Sequence, residues 1–184
     1  MNVLGVSGSL RKNSFNSAAL HAAQALAPQG MSIKIAEIGD FPLYNEDVRA
    51  AGFPAPVERF RSEIAAADAL LFVTPEYNFS VPGVLKNAID WASRPPNQPF
   101  SEKPVALMGA SGGPVGTARA QYHLRQVLYG LNAFLVNKPE VFIGQAPTKF
   151  DEAGNLVDET TKDFIRKLLE SLAAWTKRLQ AGAA

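Results

Sequence analysis

A chain of 184 residues with a formal net charge of +1 is long enough to bury a large core. Its even charge excludes a nucleic-acid binder or an acidic tail on bulk electrostatics. Hydrophobic residues make up 47% and charged residues 19%, the balance of an ordinary globular domain. There is no cysteine, which removes disulfides, thiolate metal sites and cysteine nucleophiles together, and no metal site is expected.

In chain order, apolar runs alternate with amphipathic segments. The opening run "VLGV" has no basic leader and is too short for a signal peptide, and no segment approaches the roughly 20 apolar residues of a membrane span. The expectation is a soluble, cytoplasmic protein with neither a membrane nor a nucleic-acid partner. Strands are predicted at 3–6, 33–38, 69–74, 105–109 and 140–144, with helices at 16–26, 57–66, 83–93, 117–133 and 160–179. In the last helix, Phe164, Leu168, Leu172, Trp175 and Leu179 fall on one helical face. Continuous apolar strands separated by helices indicate an α/β fold: a five-stranded parallel sheet in a three-layer sandwich, helices on both faces. Residues 1–184 read as one domain, and 39–56, 94–103 and 145–159 as irregular stretches.

In such sheets ligands lie beyond the carboxyl ends of the strands. The loops after strands one, three and four read "SGSLRKNSFNS", "PEYNFSVPG" and "GASGGPVG", and all three are unusually polar or glycine-rich. In the first, Gly8 permits a sharp turn, and Ser14, Asn16 and Ser17 crowd a helix start that carries about half a positive charge. Arg11 adds a charge-assisted donor, and Ser9, Ser14 and Ser17 add hydroxyls. Ser14 has a second reading as a plain helix cap, but capping explains one residue and not five donors and a cation. Both Gly-x-Gly-x-x-Gly and Gly-x-x-x-x-Gly-Lys-Ser/Thr are absent, which argues against a dinucleotide fingerprint or a nucleotide-hydrolysing loop here. Hydroxyls in place of a bare glycine cradle suit a terminal monophosphate, as flavin mononucleotide carries in a flavodoxin-like sheet.

In the second loop, Tyr77 and Phe79 are placed to lie along an aromatic ring system, with Asn78 and backbone N–H groups at its polar edge. Packing of Phe79 onto a neighbouring helix is an equal alternative. Asn87, Asp90 and Trp91 read as structural or interface residues rather than catalytic ones. The third loop matches the Gly-x-Ser-x-Gly of hydrolases at Gly109–Gly113. His21 precedes Ser111, and His123 falls about 10 Å or more further along the next helix, so neither serves as its base. A hydrolase is set aside on that ground.

The segments "GSLRKNSFN", "TPEYNFSVPGVLKNAIDWASRP" and "GTARAQYHLRQVL", with "NKPEV" near the last strand, resemble the NADPH-dependent FMN reductase family, closest to its bacterial quinone and chromate reductase branch. The resemblance covers nearly the whole chain. It implies a flavodoxin-like fold, non-covalently bound FMN, and dimers that pair into tetramers. By motif, Ser9, Arg11, Ser14, Asn16 and Ser17 would hold the phosphate, with Phe15 also counted among the cofactor-binding residues. Pro75, Glu76, Tyr77 and Asn78 would line the isoalloxazine, and Ser111, Gly112 and Gly113 would close its other edge. The helix carrying "ARAQYHLRQVLYGLNAF" becomes a subunit-interface candidate.

The resemblance implies ping-pong chemistry at flavin N5. NADPH or NADH would deliver hydride, and small-molecule acceptors such as quinones, free flavins, chromate or azo compounds would take the electrons. No side chain is assigned as acid, base or nucleophile. Phe79 and Arg94 are candidate substrate contacts; for Arg94, a nicotinamide-nucleotide phosphate partner and a helix C-terminal charge stay equally open. The competing reading is a flavodoxin-type electron carrier that binds FMN without direct NAD(P)H turnover, although such carriers are usually strongly acidic and this chain is not. A flavin-binding regulatory protein without turnover is a third.

Overall fold

The computed structural model describes residues 1–182. Strands β1 (Asn2–Ser7), β2 (Ser32–Ala36), β3 (Ala69–Val73), β4 (Pro104–Ala110), β5 (Phe134–Leu135) and β6 (Val141–Ile143) form one parallel sheet. Its order is β2-β1-β3-β4, with β5 and β6 both lying along the far side of β4. The strand expected at 140–144 is β6, which pairs with the end of β4; β5, outside every expected strand, is a second short piece that pairs with its start. Pro139, between the two pieces, has no N–H to give to a ladder, and pairing lapses there.

Every residue of β3 and β4 is buried, as strands covered on both faces should be. The edge strand β2 is only partly covered, with Ile33 and Ala36 buried and Ser32 and Lys34 exposed. Helices α1 (Phe15–Ala25) and α6 (Glu159–Gly182) cover one face, meeting Leu71, Val73 and Met108. Helices α3 (Ala55–Ala66), α4 (Gly83–Ala92) and α5 (Ala118–Tyr129) cover the other over Leu70, Phe72 and Leu107. Gly5 lets α1 lie close to β1, since a Cβ there would come within 2.7 Å of Leu20 Cδ1.

Three expectations shift. The stretch 39–56 contains a short helix, α2 (Glu46–Ala50), capped by the Asn45 side chain on the Asp47 N–H. Helix α5 stops at Tyr129, with Gly130 as its C-cap, four residues short of the expected end. The buried face of α6 is Thr161, Ile165, Leu168, Leu172 and Thr176, with Leu169 beside it. Phe164, expected in that stripe, is 46% exposed. Thr161 and Thr176 are buried instead, their hydroxyls donating to the Asp158 carboxylate and the Leu172 carbonyl. Trp175 reaches the core edge and donates its indole N–H to the Phe134 carbonyl at 3.0 Å. Among the described residues no helix is long and apolar enough to cross a membrane.

Candidate cofactor site at the carboxyl ends of the strands

The loops after β1, β3 and β4 meet at one end of the sheet. In the first, the Gly8 N–H donates to the Val73 carbonyl at 2.8 Å, which carries the β1–β3 contact one step past the strand. The turn is drawn inward from there. Ser9 Oγ accepts the Arg11 N–H at 3.4 Å, and the Ser7 and Ser17 hydroxyls lie 3.0 Å apart. Ser14 is the N-cap of α1, its Oγ accepting the Asn16 N–H at 3.1 Å. Its hydroxyl proton stays free to donate. The N–H groups of Phe15 and Ser17 lie in the first turn, where a helix offers them no acceptor.

Arg11 is exposed and forms no ion pair among the described residues. Its guanidinium sits 5.4 Å from the Phe15 ring centre, and Phe15 packs in turn on Phe150 at 5.3 Å. No Asp or Glu occurs between Ser7 and Ser17. Unspent N–H groups, free hydroxyls and an unpaired guanidinium, with no carboxylate among them, fit a phosphate dianion.

Asn16 departs from its expected part. It is 4% exposed, and its carboxamide exchanges two hydrogen bonds with the backbone of Ala110, at the end of β4. Its carboxamide oxygen and one of its two amide protons are engaged there rather than on the loop. The reason is position: the first turn of α1 sets it over β4 rather than toward the loop's open side.

The second loop is a tight turn. Tyr77 and Ser80 exchange backbone hydrogen bonds at 3.2 and 3.0 Å, with Asn78 (φ 50°) and Phe79 (φ 62°) between them. Positive φ at both central residues is the pattern of a type I′ turn, which an asparagine tolerates and a phenylalanine does not favour. Helix α5 holds the turn from behind. The Glu76 carboxylate accepts the Ala120 N–H at 3.1 Å and an Arg119 N–H at 3.0 Å, at the positive end of that helix. Arg119 also lies 4.1 Å over the Phe79 ring, and Ser80 Oγ is 3.0 Å from His123 Nδ1. Phe79 is 64% exposed and is not packed beneath a helix. Glu76 therefore turns its side chain to α5, leaving its backbone with Pro75, exposed Tyr77 and exposed Asn78 to face the sheet's end. The anchors Arg119 and His123 carry no sequence signal of this part, because their partners lie 43 residues away.

The third loop is tied to β6. Ser111 donates its N–H to the Ile143 carbonyl at 3.0 Å and its hydroxyl to the Gly116 carbonyl at 2.6 Å. A Cβ at Gly109 would collide with the Thr74 carbonyl and the Thr117 hydroxyl. Gly112 and Gly113 look onto open space instead: no atom lies within 4 Å of a Cβ built on Gly112, and only Ser111 Oγ, at 3.9 Å, approaches one on Gly113. A flat ring can approach this backbone closely.

Arg94 points elsewhere. Its Nε donates to the Asp90 carbonyl at 3.0 Å and its Nη2 to Ser93 Oγ at 2.9 Å, while its guanidinium stacks 5.5 Å from the Tyr44 ring. It caps the end of α4, the second of its two readings. Arg61, buried, gathers the carbonyls of Ala92, Arg94 and Pro96 at 2.5–2.7 Å, and Asn87 and Trp91 both bind the Pro42 carbonyl. These contacts are structural. A cavity of about 690 Å³ bounded by Lys103, Trp175 and Arg178 opens at the opposite end of the sheet, away from the three loops.

The donor set of the first loop, the open glycines of the third and the exposed turn of the second together accommodate a phosphate with a flat ring attached. The model of the NADPH-dependent FMN reductase family matches residues 1–148. An NAD(P)H-dependent FMN reductase of Pseudomonas aeruginosa is 61% identical over 180 residues, covering 98% of this chain and 97% of that protein. An NADPH:quinone oxidoreductase of Arabidopsis thaliana is 48% identical, covering 98% and 94%. Among solved structures, a flavoenzyme NAD(P)H:(acceptor) oxidoreductase of Paracoccus denitrificans superposes with a TM-score of 0.87 at 37% identity, over 96% of this chain and 97% of that one. The chain is a member of the NADPH-dependent FMN reductase family and has its flavodoxin-like fold.

Proposed function

We propose that the protein is an FMN-dependent NAD(P)H:acceptor oxidoreductase that reduces quinones. The observation that carries this reading is the first loop, which sets two cations, Arg11 and Lys12, and no carboxylate beside free hydroxyls and the unspent N–H groups of α1. The relatives named for FMN and quinone reduction support the same assignment, including a quinone reductase of Escherichia coli at 44% identity over 183 residues.

FMN, when bound, supplies the chemistry, accepting hydride from NADPH or NADH and passing electrons to the acceptor. The chain's own residues position and stabilise. Arg11, Ser9, Ser14 and Ser17, with the α1 N-terminus, hold the phosphate. Pro75–Asn78 supply backbone to one edge of the ring, and N–H groups in that stretch stabilise negative charge on its pyrimidine side. Ser111, Gly112 and Gly113 bound the other edge, and the exposed Phe79 borders the acceptor. No protein side chain is required to transfer a proton.

Residues 1–184 act as one FMN-binding domain, in the cytoplasm, and as a homodimer or homotetramer. The exposed Tyr122 and Tyr129 on α5 support an interface on that helix. Steady-state turnover against quinones, free FMN, chromate and an azo dye, with NADH and with NADPH, tests the assignment. Quinone reduction at useful rates with either nucleotide is expected. A flavin-loaded protein that turns over no acceptor with either nucleotide would return it to the electron carriers.

A further inference from the structure

We infer that Asn16 is a positioning residue whose carboxamide stands in for the stretch of β3 that leaves the sheet at Pro75, locking the first loop to the end of β4. The β3–β4 ladder closes with the Thr74 N–H on the Met108 carbonyl at 3.0 Å. Along a strand, alternate residues turn both backbone groups to the same neighbour, so those of Ala110 face β3 as those of Met108 do. Continued pairing in the same register would give them the Thr74 carbonyl and the Glu76 N–H, but the chain turns away from β4 at Pro75. The Asn16 side chain fills the place. The Ala110 N–H donates to Oδ1 at 2.8 Å and the Ala110 carbonyl accepts from Nδ2 at 2.9 Å, a donor and an acceptor spaced like those of a peptide group. On the other side, Ser111 is bonded to β6, so Ala110 is held from both directions.

The amide thereby sustains a split in the sheet. It keeps the carboxyl ends of β3 and β4 apart without leaving buried N–H and C=O groups unpaired. It also makes the phosphate loop and the Ser111–Gly113 loop one mechanical unit, while the Tyr77–Ser80 turn hangs separately from α5. This assignment rests on the proposed FMN site only for its effect on flavin affinity; the coupling itself is a property of the apoprotein.

Hydrogen exchange of apo Asn16→Ala against apo wild type, over the full chain, reads the coupling. Amides of residues 8–17 and 110–116 are expected to lose protection together by about tenfold or more, as loss of two buried hydrogen bonds implies, with 77–80 unchanged. FMN titration of the same variant is expected to give a dissociation constant raised by about tenfold or more. Weaker FMN binding with no change over 110–116 would make Asn16 a phosphate ligand and overturn the inference, as would equal loss of protection along the whole chain. A second measurement needs no variant. In NMR spectra of the wild-type apoprotein, the Asn16 Nδ2 protons and the Ala110 amide should exchange slowly, and fast exchange of both would overturn the inference even if the variant does not fold. If the coupling appears and FMN does not bind, the functional reading fails and this one stands.

Discussion

Arg11 and Asp158 are both charged and near the surface, yet they do different work. Among the described residues Arg11 has no carboxylate to satisfy, so its charge is available to a ligand. Arg11→Ala removes one charge-assisted contact worth about 1.5–3 kcal/mol, so FMN is expected to bind roughly 10- to 150-fold more weakly while thermal unfolding is unchanged. Quenching of flavin fluorescence on titration measures it. Asp158 instead serves the fold, its carboxylate accepting the Thr161 N–H at 2.8 Å and hydroxyl at 2.5 Å at the start of α6. Those bonds hold its pKa below the ordinary 3.8. The carboxyl is thus easier to ionise in the folded chain, and its stabilisation is complete above the ordinary value and lost as pH falls through the folded one. Asp158→Ala should cost about 1 kcal/mol at neutral pH. The melting-temperature gap to wild type should hold from pH 7 to about 5 and close in stronger acid.

At the scale of elements, the site is a consequence of how three strands end. β1 passes into a donor-rich turn and β3 into a turn braced by α5. β4 ends in a loop that glycine keeps thin. Gly109 sits where Thr74, just after β3, and Thr117, before α5, close on the end of β4, leaving no room for a methyl group. Gly109→Ala therefore forces β4 from β3 and should cost roughly 1–3 kcal/mol, read as a lower urea midpoint, with FMN affinity falling as the loops separate. Much of this framework was legible before the coordinates. Apolar runs located β1–β4 and β6 but not the short β5, and helical stripes located α1, α3, α4 and α6. The concentration of serine and glycine after strands one, three and four pointed to the functional end of the sheet. What stayed hidden depends on partners distant in sequence. Nothing local marks Asn16 as the partner of Ala110, 94 residues on. Nothing local distinguishes Glu76 as a ligand of the α5 terminus from a residue facing a ring. The positive φ of Phe79 is likewise imposed by the anchors on either side of it, Glu76 and Ser80. The buried face of α6 likewise differs from the expected stripe, with Thr161 and Thr176 buried and Phe164 46% exposed.

For the whole molecule, the loops divide the labour. In the proposed function one would anchor a phosphate and one present backbone to a ring, while the third stays thin and open, all on a sheet whose central strands are wholly buried. Such a scaffold holds a cofactor and leaves the chemistry to it, which is the arrangement the family implies. The most direct test is anaerobic mixing of the FMN-loaded protein with NADPH or NADH, followed by a quinone. The account predicts that the yellow absorbance bleaches on mixing with nucleotide, at a rate that supports turnover, and returns when quinone is added. A protein that takes up FMN but is not bleached by either nucleotide would contradict it.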